Sequence, residues 1–253
     1  MSVNILDTQS TLEKIKERMN ISRKVFFIRF GDNDVCHMKG KDPYGRIMNG
    51  EEGIGRNRTK FSRQLQADLS RSFNIYHRDY LIGLTGQWPK EKGMRPGVFG
   101  SKRYQTVLDY VSEIANQQTY LNPIVFHYLF VFEPKILKEF FDNYLTGKVL
   151  FVGSADGSKL FGDVDQVETQ AKNAYEQKGK IWREVKKKIQ NNKYDVVILA
   201  CGQLGRAMAH HLWEMVESFH CIDIGSMVDV FDGKVTRRWI KKTNAHENIK
   251  YFT

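Results

Sequence analysis

Four short apolar runs, each closed by a glycine, constrain the fold of this chain more than any other feature. Val25 to Phe30 (VFFIRF) stops at Gly31, and Lys148 to Gly153 (KVLFVG) ends on glycine itself. Tyr194 to Cys201 (YDVVILAC) stops at Gly202, and Phe219 to Ile224 stops at Gly225. Runs this short, rich in β-branched and aromatic residues, read as buried strands. Shorter strands are predicted at Tyr80–Thr85 and Val164–Thr169. Between the strands, apolar residues recur at helical spacing: Leu12, Ile15 and Met19; Phe61, Leu65, Leu69 and Phe73; Val107, Val111 and Ile114. The pattern continues with Ile136, Leu137, Phe140 and Tyr144, then Ile181, Val185 and Ile189, then Leu204, Met208, Leu212 and Met215. Alternating strands and helices predict an α/β fold, a Rossmann-like, largely parallel sheet flanked by helices. The 253 residues suffice for one domain over 1–253, read as an N-terminal half of about 1–147 and a C-terminal half of about 148–253.

Composition narrows the setting. At 41% hydrophobic and 27% charged residues the chain is globular in type. Three cysteines, Cys36, Cys201 and Cys221, without a CxxC pair are expected to be free thiols in a reducing compartment. The first twenty residues lack the apolar core of a signal peptide, and Ile124–Phe132, the longest apolar stretch, is too short to cross a bilayer. A cytoplasmic protein with no membrane partner is the expectation. The net charge of +10 gathers at Lys39–Arg63, Lys90–Arg103 and Arg237–Lys250. It serves either as solubilising surface or as attraction for an anionic partner.

Asp32-Asn33-Asp34 follows directly on an apolar strand. In extended backbone residues i and i+2 share a face, so both carboxylates are expected at one site on the carboxyl edge of the sheet, where open α/β sheets bind ligands. Two carboxylates leave most metal positions free, which suits Mg²⁺ or Mn²⁺ shared with substrate phosphates; Arg29 adds a cation. The alternative is a surface turn, since Asp and Asn are common there. Gly153-Ser154, Gly202-Gln203 and Gly225 close later strands, and the run Gly202 to Gly205 opens a helix whose N–H groups suit a phosphate. These glycines equally serve as turn formers. The run is not GxGxxG, which argues against NAD. Asp223 and Asp229 are each either a ribose ligand or a helix cap. His210 and His211 read as core-edge histidines, with His211 nearer the apolar stripe.

The ordered set FFIRFGDND (Phe26–Asp34), KVLFVG (Lys148–Gly153), Asn173-Ala174-Tyr175, DVVILACGQLGRAMAHHL (Asp195–Leu212) and CIDIGSMVDVF (Cys221–Phe231) resembles the GT-D type of glycosyltransferase. That family is known mainly from bacterial surface-glycan and adhesin glycosylation. Its hallmark is an R-[FY]-G-D-G-E segment whose DxE works with a divalent metal and a UDP-sugar. The resemblance implies catalytic roles for Arg29, Asp32 and Asp34, with metal at Asp32 and Asp34 (Mn²⁺ or Mg²⁺). It implies donor contacts at Gly31, Asn173, Gly202, Asp223 and Gly225, to which their place at strand ends adds Gly153, Ser154 and Gln203 as donor-binding candidates. Asn33 stands where the family has glycine and Asp34 where it has glutamate. Being one methylene shorter, Asp34 must sit closer to the metal or act through water.

The acceptor is approached through the basic loops. Arg56, Arg58, Lys60, Trp88, Lys92 and Arg95 mix cations with an aromatic ring, as phosphates and unstacked bases require. A DNA acceptor, such as a hydroxymethylated pyrimidine, is the expectation. The alternatives are a saccharide or glycoprotein acceptor, and a non-catalytic module that binds nucleotide or nucleic acid. Glu51, Glu52 and His37 lie near the carboxylates in sequence, without thereby being assigned as the general base.

Overall fold

The computed structural model describes residues 3–49, 53–54, 59–85, 101–233, 240, 243 and 245–252. Ten strands are described: β1 (Asn4–Ile5), β2 (Phe26–Phe30), β3 (Gly53–Ile54), β4 (Thr59–Lys60), β5 (Tyr80–Leu84), β6 (Thr119–Tyr120), β7 (Val149–Gly153), β8 (Asp165–Glu168), β9 (Val196–Ala200) and β10 (His220–Asp223). The helices are α1 (Thr8–Ile21), α2 (Asp32–Lys39), α3 (Arg63–Phe73), α4 (Ser101–Ile114), α5 (Val125–Phe132), α6 (Pro134–Tyr144), α7 (Ser158–Phe161), α8 (Lys178–Asn191) and α9 (Gln203–Trp213). Local chemistry sets their ends. Asp7 caps α1 by accepting from Ser10 N at 2.6 Å, Ser62 caps α3 through Leu65 N at 3.1 Å, and left-handed Gly40 stops α2.

Six strands form one sheet in the order β5-β2-β10-β9-β7-β8, with every neighbouring pair parallel. Side-chain alternation divides the core into two layers. Phe26, Ile28 and Phe30, Leu150 and Val152, and Val197 and Leu199 face α2, α3, α4, α8 and α9. Phe27, Val149 and Phe151, and Val196 and Ile198 face α1, α5 and α6. Helices therefore cover both faces, as the continuous apolar strands require. Two-stranded pairs β1-β6 and β3-β4 lie outside this sheet. Among the described residues no helix is long and apolar enough to cross a membrane.

The structure adds one helix that the sequence left unassigned and corrects the sequence reading at one place. The apolar run after Ile124 is a helix, α5, buried on Val125, Phe126, Leu129 and Phe130 between α1 and α6. Asp32-Asn33-Asp34 is not extended: it is the first turn of α2, entered through Gly31. Acidic side chains at a helix start are stabilised by the unpaired N–H groups there, and that local preference outweighs continuation of the strand.

Candidate active site

Strands β2, β10 and β9 end side by side, and the residues just beyond them form a chain of buried ion pairs. Arg29, the penultimate residue of β2, is 5% exposed. Its Nη1 donates to the Pro123 carbonyl at 2.7 Å and lies 3.1 Å from His127 Nδ1, while Nη2 reaches Asp223 Oδ1 at 3.4 Å. Asp223, the last residue of β10, accepts Arg206 Nε on Oδ2 at 3.0 Å and Gly225 N on Oδ1 at 2.9 Å. Arg206, in the first turn of α9, donates Nη1 to Asp34 Oδ2 at 2.9 Å. The order Arg29–Asp223–Arg206–Asp34 alternates in sign. Burial alone would lower the pKa of Arg206, but the carboxylates of Asp34 and Asp223 raise it. Arg29 is pushed down by burial, against the pull of Asp223.

Because they lie in a helical turn, Asp32 and Asp34 diverge by about 200° rather than sharing a strand face. Asp32 Oδ1 accepts the Thr85 hydroxyl at 2.8 Å, tying α2 to the end of β5. Asp34 folds back to accept Gly31 N at 2.7 Å on the oxygen that also holds Arg206. Its other oxygen, Oδ1, is buried without a partner. Burial raises the pKa of both carboxyls, and the nearby Asp34 charge adds to the rise at Asp32. A buried acceptor without a donor, beside a second carboxyl that burial penalises in its ionised form, fits a hard divalent cation.

The expected donor residues lie along the same carboxyl edge. Gly153 and Ser154 end β7, Gly202 and Gln203 follow β9, and Asn173 follows β8. The order of β8, β7, β9 and β10 places a change of direction between β7 and β9, where open sheets leave a crevice. Gly202 has φ +62° and forms an N-terminal cap of α9 without a side-chain hydrogen bond. Gln203 Nε2, Asn173 Oδ1 and Thr169 Oγ1 are all buried with no partner, and Asn173 is held at φ 50°. Polar atoms this costly to bury point to a bound polar group. Gly153 has a different explanation: a Cβ there would lie 2.7 Å from the Phe151 ring, so the glycine serves packing.

Arg206, Thr85 and Thr169 escaped the sequence reading. Arg206 lies inside the quoted Asp195–Leu212 motif, three residues past Gln203, and that position was the available signal. Of the expected acceptor residues, Lys60 is exposed on β4. Arg56, Arg58, Trp88, Lys92 and Arg95 lie outside the described residues, as do Glu51 and Glu52. His37 is fully buried and stacked on Phe61, its pKa lowered to about 4 by burial. Asp229 lies in the 3₁₀ turn Gly225–Val230. The two histidines are reversed relative to expectation: His210 is buried and His211 half-buried, because α9 packs on α3 as well as on the sheet.

No family model and no curated protein matches the chain. Solved structures do. A structure described as a new glycosyltransferase (DUF1792) from Streptococcus sanguinis aligns with a TM-score of 0.63 at 14% identity, covering 95% of this chain and 85% of that one. A second, described as showing that the highly conserved domain of unknown function 1792 has a distinct glycosyltransferase fold, aligns at TM-score 0.62 and 15% identity, covering 94% and 82%. A selenomethionine structure of the same domain gives a TM-score of 0.59 at 15% identity, again covering 94% and 82%. The chain therefore has the α/β glycosyltransferase fold seen in the DUF1792 structures.

Proposed function

We propose that this chain is a glycosyltransferase that moves a sugar from a nucleotide-sugar donor, a UDP-sugar, to an acceptor hydroxyl. The observation that carries the reading is the row of unpartnered buried polar atoms (Asp34, Gln203, Asn173, Thr169) along the carboxyl edge of the sheet, beside a buried ion-pair chain. The fold shared with the DUF1792 structures supports it.

In this reading Gly202 and the first N–H groups of α9 receive the donor phosphates, Gln203 and Asn173 orient the nucleotide, and Arg29 holds Asp223 in place. Asp34, through its unpartnered Oδ1, and Asp32 would hold Mn²⁺ or Mg²⁺, which would supply positive charge to neutralise the departing nucleotide diphosphate. Arg206 keeps Asp34 oriented and compensates its charge before the donor arrives. The three buried free thiols suit a reducing cytoplasm.

The test is donor hydrolysis with a panel of UDP-sugars and Mn²⁺. Turnover in the wild type that is lost in Asp32→Ala and Asp34→Ala supports the reading; unchanged turnover in both variants rejects it.

For the acceptor we infer DNA, a hydroxymethylated base whose hydroxyl takes the sugar. The support is the basic composition, with exposed Lys60 on the β3-β4 hairpin next to Arg56 and Arg58 in sequence. Binding of DNA that weakens steeply with rising salt is the expected result. Salt-independent or absent binding turns the acceptor towards saccharide or glycoprotein.

A further inference from the structure

We propose that Asp68, His210 and His211 form a second cation site, for a divalent transition metal of the zinc class, at the interface of α3 and α9. One ligand atom from each residue lies within 4.8 Å of the other two. Neighbouring helix residues project about 100° apart, yet these two imidazoles stand with ring centroids 3.9 Å apart. Both converge towards the carboxylate of a different helix.

The decisive detail is the state of His210, which is 3% exposed. Its Nδ1 is 3.1 Å from Ser72 Oγ, and that same oxygen accepts the His210 backbone N–H at 3.0 Å. Its Nε2 is buried with no partner. In the proposed site Nδ1–H donates to Ser72, which leaves the lone pair on Nε2 for the metal. This is how the outer hydrogen bonds of metal-bound histidines work. His211 is half-buried, stacked on Trp182 at 5.1 Å, and gives the ion its route from solvent.

Asp68 is fully buried. Its Oδ1 accepts Gln64 Nε2 at 2.9 Å, and its Oδ2 accepts the Tyr175 hydroxyl at 2.6 Å together with the Lys178 ammonium. Lys178 begins α8 and keeps 20% of its side chain exposed, so it can swing to solvent when a metal replaces it as counter-ion. Two imidazoles and one carboxylate form a borderline-soft set, which selects Zn²⁺ or Co²⁺ over Mg²⁺ and leaves a fourth position for water. This donor set differs from the all-oxygen pair Asp32 and Asp34. Occupancy would bind α3 to α9 and release Lys178 beside the Asn173 turn.

The experiment uses the full chain stripped of metal and titrated with Co²⁺, read by its visible ligand-field absorption, and with Zn²⁺, read by calorimetry. A tetrahedral cobalt band that saturates at one equivalent is expected in the wild type and, unchanged, in Asp32→Ala, since the all-oxygen pair gives no such band. In His211→Ala, checked for folding by circular dichroism, the affinity should fall at least about tenfold. In Lys178→Met, which removes the competing ammonium, it should rise. Absence of a cobalt band in the wild type, equal affinity in His211→Ala, or unchanged or weaker binding in Lys178→Met overturns the proposal.

Discussion

The guanidinium of Arg29 lies so close to Gly225 that a Cβ on residue 225 would fall 1.7 Å from Nη2. Gly225 also sits at φ +58° and donates its N–H to Asp223, the carboxylate that Arg29 pairs with. The glycine therefore shapes the arginine's berth. Gly225→Ala must either displace Arg29 or distort the turn, and we expect a loss of about 2 to 4 kcal/mol. A thermal melt within a degree of wild type would contradict this.

Arg206 joins two carboxylates that come from different elements. Replacing it with methionine keeps the bulk but leaves buried Asp34 without a cation and Asp223 with only its longer contact to Arg29. The expected destabilisation is about 3 to 5 kcal/mol. Urea unfolding reads it directly, and Arg206→Lys, which restores charge but not the planar fork, should recover only part.

Asp32→Asn should separate stability from activity. Burial raises the Asp32 pKa in the folded state, so its ionised form is disfavoured there. Its favourable contribution is complete below the unfolded value of about 3.9 and is lost as pH rises through the folded value. At pH 7 the neutral amide, still able to accept from Thr85, should leave the protein at least as stable as wild type. Donor turnover should fall by about a hundredfold or more, and the stabilisation that Mn²⁺ gives the wild type should vanish. A variant that unfolds easily, or that turns over normally, contradicts the assignment.

Acid sensitivity has an address away from the site. Burial of Asp79 alone would raise its pKa, but hydrogen bonds from Arg18 and Ser22 outweigh burial and hold it below the usual carboxylate value. A depressed folded pKa means stability that is present above the unfolded value, about 3.9, and lost as pH falls through the folded one. Asp79→Asn should lower stability at pH 7 and flatten the decline below about pH 4. Denaturant midpoints measured from pH 2 to 7 decide it; parallel curves for the two proteins count against the prediction.

Much of the fold was legible because its strands are apolar on both faces. VFFIRF, KVLFVG and YDVVILAC have few other ways to be buried, and their closing glycines mark the edge where ligands bind. The helix over Val125–Phe132 was not legible, since a run apolar at seven of its eight positions carries no periodicity to separate helix from strand. The direction of Asp32 and Asp34 was misread because strand alternation was carried one residue past Gly31, where the chain turns into a helix. Arg206 belongs to no spacing pattern. Its role exists only once α9 lies against β10 and α2, a relation between segments some 170 residues apart.

The sheet order has a consequence for synthesis. The strand that separates β2 from β9 is β10, the last of the ten to be made. Until it emerges from the ribosome, β2 has β5 on one side and an open edge on the other, and Arg206 lacks Asp223, one of the two carboxylates that it bridges, Asp34 being the other. The gap closes only at residue 220, about 190 residues after the end of β2. A nascent chain arrested earlier would present an unpaired strand edge to chaperones.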